Sequence, residues 1–338
     1  MPTLAIDAMS GDLGAPECVP GALLALEQAP DLHLELVGAP ATIEPLLATA
    51  SAALRARISI VPASDVVPMD ELPRAAIRHR KASSMRIAVD RVKAGSAAGC
   101  VSAGNTGALT AIAHFVLKTV PGVERAPIMS ALPAAHGFAY MLDLGANITA
   151  SAEQLRQFAL MGSIVARDVF GVAQPRVGLL NVGSEDIKGH ETVQAANVLI
   201  AGCGVHYLGF IEGDDIFSGK VDVVVTDGFT GNVALKSMEG LARLITGRMR
   251  TEFMRSTASR VAALFARPVL KRVGATLDPR QYNGACMVGL RGVVVKSHGR
   301  ADRTAFGRAI ALARTAAIHD IPGCVERALG SNSAQQGS

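Results

Sequence analysis

Short apolar runs, many of them β-branched, recur along the chain and are separated by longer stretches with helical spacing. Leu4–Ala8, Leu34–Val37, Ile58–Val61, Cys100–Ala103, Ile128–Leu132, Ala139–Leu142, Val177–Val182, Val221–Thr226 and Val293–Val295 read as strands. Pro20–Gln28, Met85–Lys93, Gly107–Leu117, Ala152–Val169, Thr192–Ile200 and Arg303–Ala316 read as helices. Strands that alternate with helices build a largely parallel sheet with helices on both faces, so the pattern predicts a three-layer α/β/α, Rossmann-like protein. No internal repeat and no linker interrupts it. Residues 1–329 read as a single α/β catalytic domain, and only Gly330–Ser338 has the composition of a disordered tail.

One segment departs from this rhythm. Between Glu239 and Gly274, Leu241, Leu244, Ile245, Met249 and Phe253 recur at helical spacing, and Val261, Leu264, Phe265, Val269 and Leu270 follow in a second run. Eight basic side chains stand there against Glu239 and Glu252, which gives the segment +6 and leaves −2 for the rest of a chain whose formal charge is +4. It reads as a basic amphipathic helical pair. Two uses are open: packing on the core or a dimer partner with solvated arginines, or docking on an anionic membrane surface or an acidic protein through Arg248, Arg255, Arg260, Phe253, Leu264 and Phe265.

Composition narrows the class. The 338 residues are 49% hydrophobic and 18% charged, enough for a large buried core and incompatible with global disorder. The net charge is too small for a protein that coats nucleic acid. Five scattered cysteines without a C-x-x-C pair indicate reduced thiols in a cytoplasm, with neither a disulfide framework nor a zinc site. The start of the chain has no basic n-region, so no secretory signal is expected. Ala94–Leu117 and Thr192–Ile211 lack charge but carry glycines and polar residues, which suits strand–turn–helix segments better than membrane spans.

The polar residues of interest cluster in turns after strands, where backbone N–H groups and helix N-termini gather around anions. Ser102-Ala103-Gly104-Asn105-Thr106-Gly107 would suit a phosphate; Asn181–Gly189 adds Lys188; Thr226–Asn232 and Asp7–Asp12 follow two more strands. Each alone is also an ordinary turn composition, and Asp143 and Asp227 could be caps. His298 and His136 are the histidines closest to turn residues, and either could be structural. Nucleotide-loop, dinucleotide-turn, nucleophile-elbow and zinc-hydrolase fingerprints are absent.

Taken together and in order, Asp7–Asp12, Ser83-Ser84-Met85, SAGNTGAL (Ser102–Leu109), DLGAN (Asp143–Asn147), Asn181–Gly189, VDVVVTDGFTGNVALK (Val221–Lys236) and Gly289–Gly299 closely resemble the bacterial phosphate acyltransferase (PlsX) family, over about Thr3 to Ala328. The resemblance implies transfer of a long-chain acyl group from acyl carrier protein to inorganic phosphate, giving acyl phosphate for phospholipid synthesis. It also implies a fold like that of phosphate acetyltransferases and of isocitrate and isopropylmalate dehydrogenases, a homodimer, and no metal or organic cofactor. A helical hairpin serving as a peripheral membrane anchor follows from it too, which raises the membrane reading of Glu239–Gly274. So do a location at the inner face of the cell membrane and a downstream glycerol-3-phosphate acyltransferase.

The chain departs from the family pattern at Ser10, at Asn283 in Tyr282-Asn283-Gly284-Ala285, and at Arg300-Ala301 after His298-Gly299, so Asn283 and Arg300 receive no transferred role. The expected mechanism is direct attack of phosphate on a thioester, dominated by positioning. Ser102, Gly104, Asn105, Thr106 and Gly107 would hold phosphate or the oxyanion. Lys188 would neutralise charge, Asp227 and Asn232 would orient groups, and His298 would be a general acid. Open alternatives are an acyl-coenzyme A donor, an NAD-linked decarboxylating dehydrogenase, and a membrane-surface scaffold without turnover.

Overall fold

The computed structural model describes residues 1–335. Its strands are β1 (Thr3–Asp7), β2 (His33–Gly38), β3 (Ile58–Pro62), β4 (Gly99–Ser102), β5 (Ile128–Pro133), β6 (Phe138–Leu142), β7 (Arg176–Leu180), β8 (His206–Ile211), β9 (Val223–Val225), β10 (Ala285–Met287) and β11 (Val293–Lys296). The helices are α1 (Ala15–Gln28), α2 (Pro40–Leu46), α3 (Ala52–Arg55), α4 (Pro73–His79), α5 (Ser84–Lys93), α6 (Thr106–Leu117), α7 (Ala152–Asp168), α8 (Glu191–Ala201), α9 (Asp215–Ser218), α10 (Gly228–Met254), α11 (Thr257–Leu277), α12 (Arg303–Ile318) and α13 (Ile321–Gln335). All these strands share one sheet in the order β3-β2-β1-β4-β11-β10-β5-β6-β9-β7-β8.

Alternate side chains of each strand enter different cores, as the two-residue repeat of a pleated strand requires. Leu4 and Ile6, Val293 and Val295, and Val223 and Val225 join one core with α1, α7, α8, α12 and α13. Ala5, Val294 and Val224 join the other, with α4, α5 and α6. Polar residues set the helix starts. Asn105 accepts the Ala108 N–H at 3.0 Å, Ser151 and Gln154 close a capping box on α7, and Asp302 accepts the Ala305 N–H at 2.9 Å.

The sheet is mostly parallel but reverses in the middle. β10 is antiparallel to both β11 and β5, and β5 is antiparallel to β6. Consequently β1, β4 and β11 point one way, whereas β6, β9, β7 and β8 point the other. β8 and the three-residue β10 were not among the expected strands. The stretch expected to be a disordered tail from Gly330 continues α13 as far as Gln335. Ile321 and Val325 bury themselves in the first core, and extending a helix already nucleated there adds one hydrogen bond per residue. Residues 336–338 of that expected tail lie outside the described residues.

α10 and α11 stand apart from this packing. Gly228 and Gly231 are the buried residues of α10, and α11 packs on α10. Leu241, Leu244, Val261, Leu264 and Phe265 are exposed, Phe265 by 81%. Among the described residues, no helix is long and apolar enough to cross a membrane.

Candidate active site

The carboxyl ends of β1, β4 and β11 lie side by side, and their turns interlock. The Asp12 N–H donates to the Gly299 carbonyl at 2.8 Å. Gly11, at φ +97°, lies so close to its neighbours that a Cβ would come within 2.9 Å of the Ala103 Cβ and 3.1 Å of the Gly299 oxygen. Ser102 is buried beneath them, its hydroxyl donating to Asp7 at 2.6 Å and accepting the Gly104 N–H at 3.1 Å. Gly104 is pressed against Met85 and Ser10, and Gly107 against Pro73. Asn105 donates to the Met69 and Glu71 carbonyls at 2.7 and 3.1 Å while capping α6. Of the residues expected to bind phosphate in this turn, Thr106 lines the neighbouring cavity; the polar side chains of Ser102 and Asn105 are engaged in holding the turn.

That cavity has a volume of about 1160 Å³. Its polar wall is formed by Asp12, Thr106, Asn232, Lys236, Glu239, Asn283, Lys296 and His298, with Arg280, Arg300 and Asp302 at the rim. The far wall belongs to α10. Asp227 caps this helix by accepting the Thr230 N–H at 2.7 Å. Buried Asp143 shapes the socket for its first turn, accepting N–H groups from Ile128 at 2.8 Å and from Asn147 at 2.6 Å. Burial pushes the Asp143 carboxyl up, against the pull of those donors. A Cβ at Gly231 would run into the Asp143 carbonyl, so glycine lets the helix seat there. Because β9 points away from the β4 and β11 turns, α10 must run back along the sheet to reach them. Asn232, Lys236 and Glu239, spaced four and three residues apart, fall on one face that lines the cavity, and Lys236 and Glu239 reach His298.

His298 is held from three sides. Its backbone N–H donates to the Asn283 Oδ1 at 3.0 Å, and Asn283 in turn donates to the Ser297 hydroxyl and the Ala305 carbonyl, each at 2.8 Å. Asn283, given no role by the sequence pattern, is thus a support for the histidine. The Arg300 N–H lies 3.1 Å from Nδ1, Lys236 Nζ lies 3.1 Å from Nε2, and Glu239 lies 4.0 Å from Nε2. A neutral imidazole offers one lone pair, so the Arg300 amide and the Lys236 ammonium compete for it. Burial and then the Lys236 charge hold the His298 pKa below its ordinary value, which keeps the ring neutral. Lys236 also donates to the Glu239 carboxylate at 3.1 Å, so its ammonium is shared between that acid and the ring. Below, Lys296 donates to the Ala103 carbonyl at 3.3 Å and to the Ser297 carbonyl, and burial, with Lys236 second, lowers its pKa to about 8.

The remaining expected site residues lie elsewhere. Asp227 is engaged as a cap and does not line the cavity. Lys188 is exposed on the loop after β7, also outside the lining. The pairing of Leu179 with Val225 sets that loop beside the start of α10. Both residues follow strands of the reversed half, which explains their separation from His298. Arg248, Arg255 and Arg260 are exposed on α10 and α11, Arg255 pairing with Glu252 at 3.3 Å; Phe253 is half-buried. Lys236 and Glu239 were missed because the run VDVVVTDGFTGNVALK was read only to its end at Lys236, although their helical spacing from Asn232 was visible. Lys296 was hidden at the end of the apolar run Val293–Val295.

Residues 2–323 match the family model described as "Fatty acid synthesis protein". The chain is 51% identical over 334 residues to a phosphate acyltransferase from Halorhodospira halophila, covering 97% of each chain. It is 52% identical over 313 residues to a phosphate acyltransferase from Methylococcus capsulatus, covering 93% of this chain and 92% of that one. The chain belongs to the phosphate acyltransferase family. It is therefore an enzyme of the acyltransferase class. A phosphotransacetylase from Streptococcus pyogenes has a similar fold, with a TM-score of 0.63 at 17% identity over 94% of each chain. For this phosphate acyltransferase family member, that likeness concerns the fold alone.

Proposed function

We propose that the protein transfers a long-chain acyl group from acyl carrier protein to inorganic phosphate, forming acyl phosphate for phospholipid synthesis. The observation that carries the reading is the convergence of Lys236, His298 and Lys296 on one open cavity, where the Lys236 ammonium stands 3.1 Å from the ring nitrogen and is paired with Glu239 at 3.1 Å. Hydrogenphosphate supplies acceptor oxygens and two negative charges, and is already nucleophilic, so holding it in line with the thioester is the main requirement. Its oxygen adds to the carbonyl carbon to give a tetrahedral intermediate, whose collapse breaks the C–S bond, and the proton that phosphate loses ends on the sulfur. His298 carries that proton to the leaving thiolate, while Lys236 and Lys296 balance charge on phosphate and the tetrahedral intermediate. Lys188, on the loop beside the start of α10, adds charge once the donor is bound; normal turnover by Lys188→Ala would remove it from this scheme.

The exposed apolar and basic face of α10 and α11 supports peripheral attachment to an anionic membrane from the cytoplasmic side, with part of the same surface receiving the acidic carrier protein. The test is acyl phosphate formation from hexadecanoyl-carrier protein and phosphate, trapped as the hydroxamate, with hexadecanoyl-coenzyme A in parallel. Phosphate-dependent product from the carrier protein supports the reading. Product from coenzyme A alone changes the donor, and product from neither overturns the reading.

A further inference from the structure

A second cavity, of about 610 Å³, lies on the other face of the sheet, and its lining shares Ser130, Ala131, Tyr282, Asn283 and Gly284 with the first. The two meet where the sheet splits. The β10–β5 ladder ends at Cys286 paired with Met129; beyond it β5 continues beside β6 alone, and the chain before β10 turns away at Gly284. Across the split the Ser130 hydroxyl donates to the Gly284 carbonyl at 3.0 Å. Above it Phe138 and Tyr282 meet edge to face, with ring centroids 5.7 Å apart. Behind the neck the walls are mostly apolar, with Met129, Val165, Cys286 and Leu312 and with Tyr140 stacked on Phe170 at 4.4 Å, while Gln281 and Arg308 supply polar groups to the lining.

We infer that the acyl chain of the donor threads this split and lies in the second cavity. The inference rests on the acyl-transfer reading and goes further by giving the chain its place. Three observations select this occupant. The neck includes Asn283, the residue that holds His298, so a carbonyl beside His298 sets its alkyl group at the opening. The volume falls within the roughly 300–1,000 Å³ that encloses a ligand of moderate size. The wall suits an unbranched apolar chain, whereas the first cavity's charged rim suits the polar arm that carries the sulfur. Each methylene buried there strengthens binding about fourfold, so the depth of the cavity sets chain-length preference.

Leu312 projects from α12 into the cavity, is half-buried, and takes no part in the chemistry. Leu312→Trp should lower the ratio of kcat/KM for hexadecanoyl over octanoyl donors by about tenfold or more, equivalent to losing two or more methylene contacts, with octanoyl turnover unchanged. Ala131→Leu, which narrows the neck from β5, should lower the same ratio. Binding of cis-parinaric acid, read by its fluorescence and by displacement with palmitate, should weaken in both variants. Unchanged ratios and unchanged parinarate binding in both would overturn the inference while leaving acyl transfer intact. Absence of turnover in the unaltered protein would instead strike the acyl-transfer reading; parinarate binding, and its sensitivity to Leu312→Trp, would then decide the cavity's role by itself.

Discussion

The two ends of α10 obey different constraints. Its first three turns are seated by Asp143, Asn147 and Gly231 and deliver Asn232, Lys236 and Glu239 to the cavity. From Leu241 to Met254 the helix leaves the sheet, carrying large apolar side chains in solvent beside α11. One continuous helix thus joins a polar site that demands fixed geometry to a surface whose large apolar side chains, among the described residues, stay exposed beside α11. The contrast teaches that amphipathicity has to be read locally. At the near end the functional face is the polar one, at the far end the apolar one, and helix propagation alone connects them.

Removing charge at the near end should produce the largest effect. Lys236→Met is expected to lower kcat on the order of 10²–10³-fold, the scale seen when a preorganised electrostatic donor is lost. His298→Gln, which keeps a side-chain donor but cannot shuttle the proton, should cost about 10²-fold or more. Circular dichroism should remain native in both, because neither side chain supports the core. Near-normal hydroxamate formation by Lys236→Met would break the assignment of the near end to chemistry.

At the far end the expected loss is in surface binding and not in turnover. Leu264→Asp combined with Phe265→Asp should reduce sedimentation with anionic phosphatidylglycerol vesicles by about 100-fold, since two large side chains each contribute more than 1 kcal/mol when buried. Turnover of a soluble donor should stay as it was. Equal vesicle binding would mean that this face serves another partner, such as a second copy of the chain.

The legibility of these regions from sequence differed for physical reasons. Strand and helix periodicity is local, so nearly every strand on either side of the reversal was recognisable. The reversal itself depends on β10, whose Ala-Cys-Met has little β character and takes its strand form from pairing with β11 and β5. Without that reversal, all turns after strands look as if they share one edge, and Asp227 and Lys188 were accordingly grouped with Ser102 and His298. His298, Thr106 and Asn232 were legible as polar residues near glycine turns. Lys296 and Asn283 were not, because their roles arise from contacts across the fold.

Lys296 offers a pH test that sharpens the near end further. Its pKa of about 8 lies below the ordinary 10.5, so its charge is present below about pH 8 and lost above it. KM for phosphate should rise as pH passes 8, by up to about tenfold per unit, and Lys296→Met should remove that rise while raising KM at pH 7. The stability sign is opposite. Between about 8 and 10.5 the unfolded chain binds the proton that the folded protein has released, so this group's contribution to unfolding free energy increases with pH. A phosphate KM that is flat from pH 7 to 9.5 would remove Lys296 from anion binding.

The smallest effect is expected at Asp227, where a chemical role and a structural one make different demands. Its carboxylate accepts the Thr230 N–H at 2.7 Å and anchors the first turn of the helix that carries Lys236. Asparagine caps as well as aspartate does, so Asp227→Asn should retain both melting temperature and kcat within about twofold. Asp227→Ala loses the acceptor and should cost about 1 kcal/mol of stability, measured by urea unfolding, with kcat lowered only modestly through displacement of Lys236. A kcat loss on the order of 100-fold in Asp227→Asn, with stability unchanged, would instead require the negative charge itself in the reaction. The near end of α10 would then contribute to chemistry through its cap as well as through its cavity face.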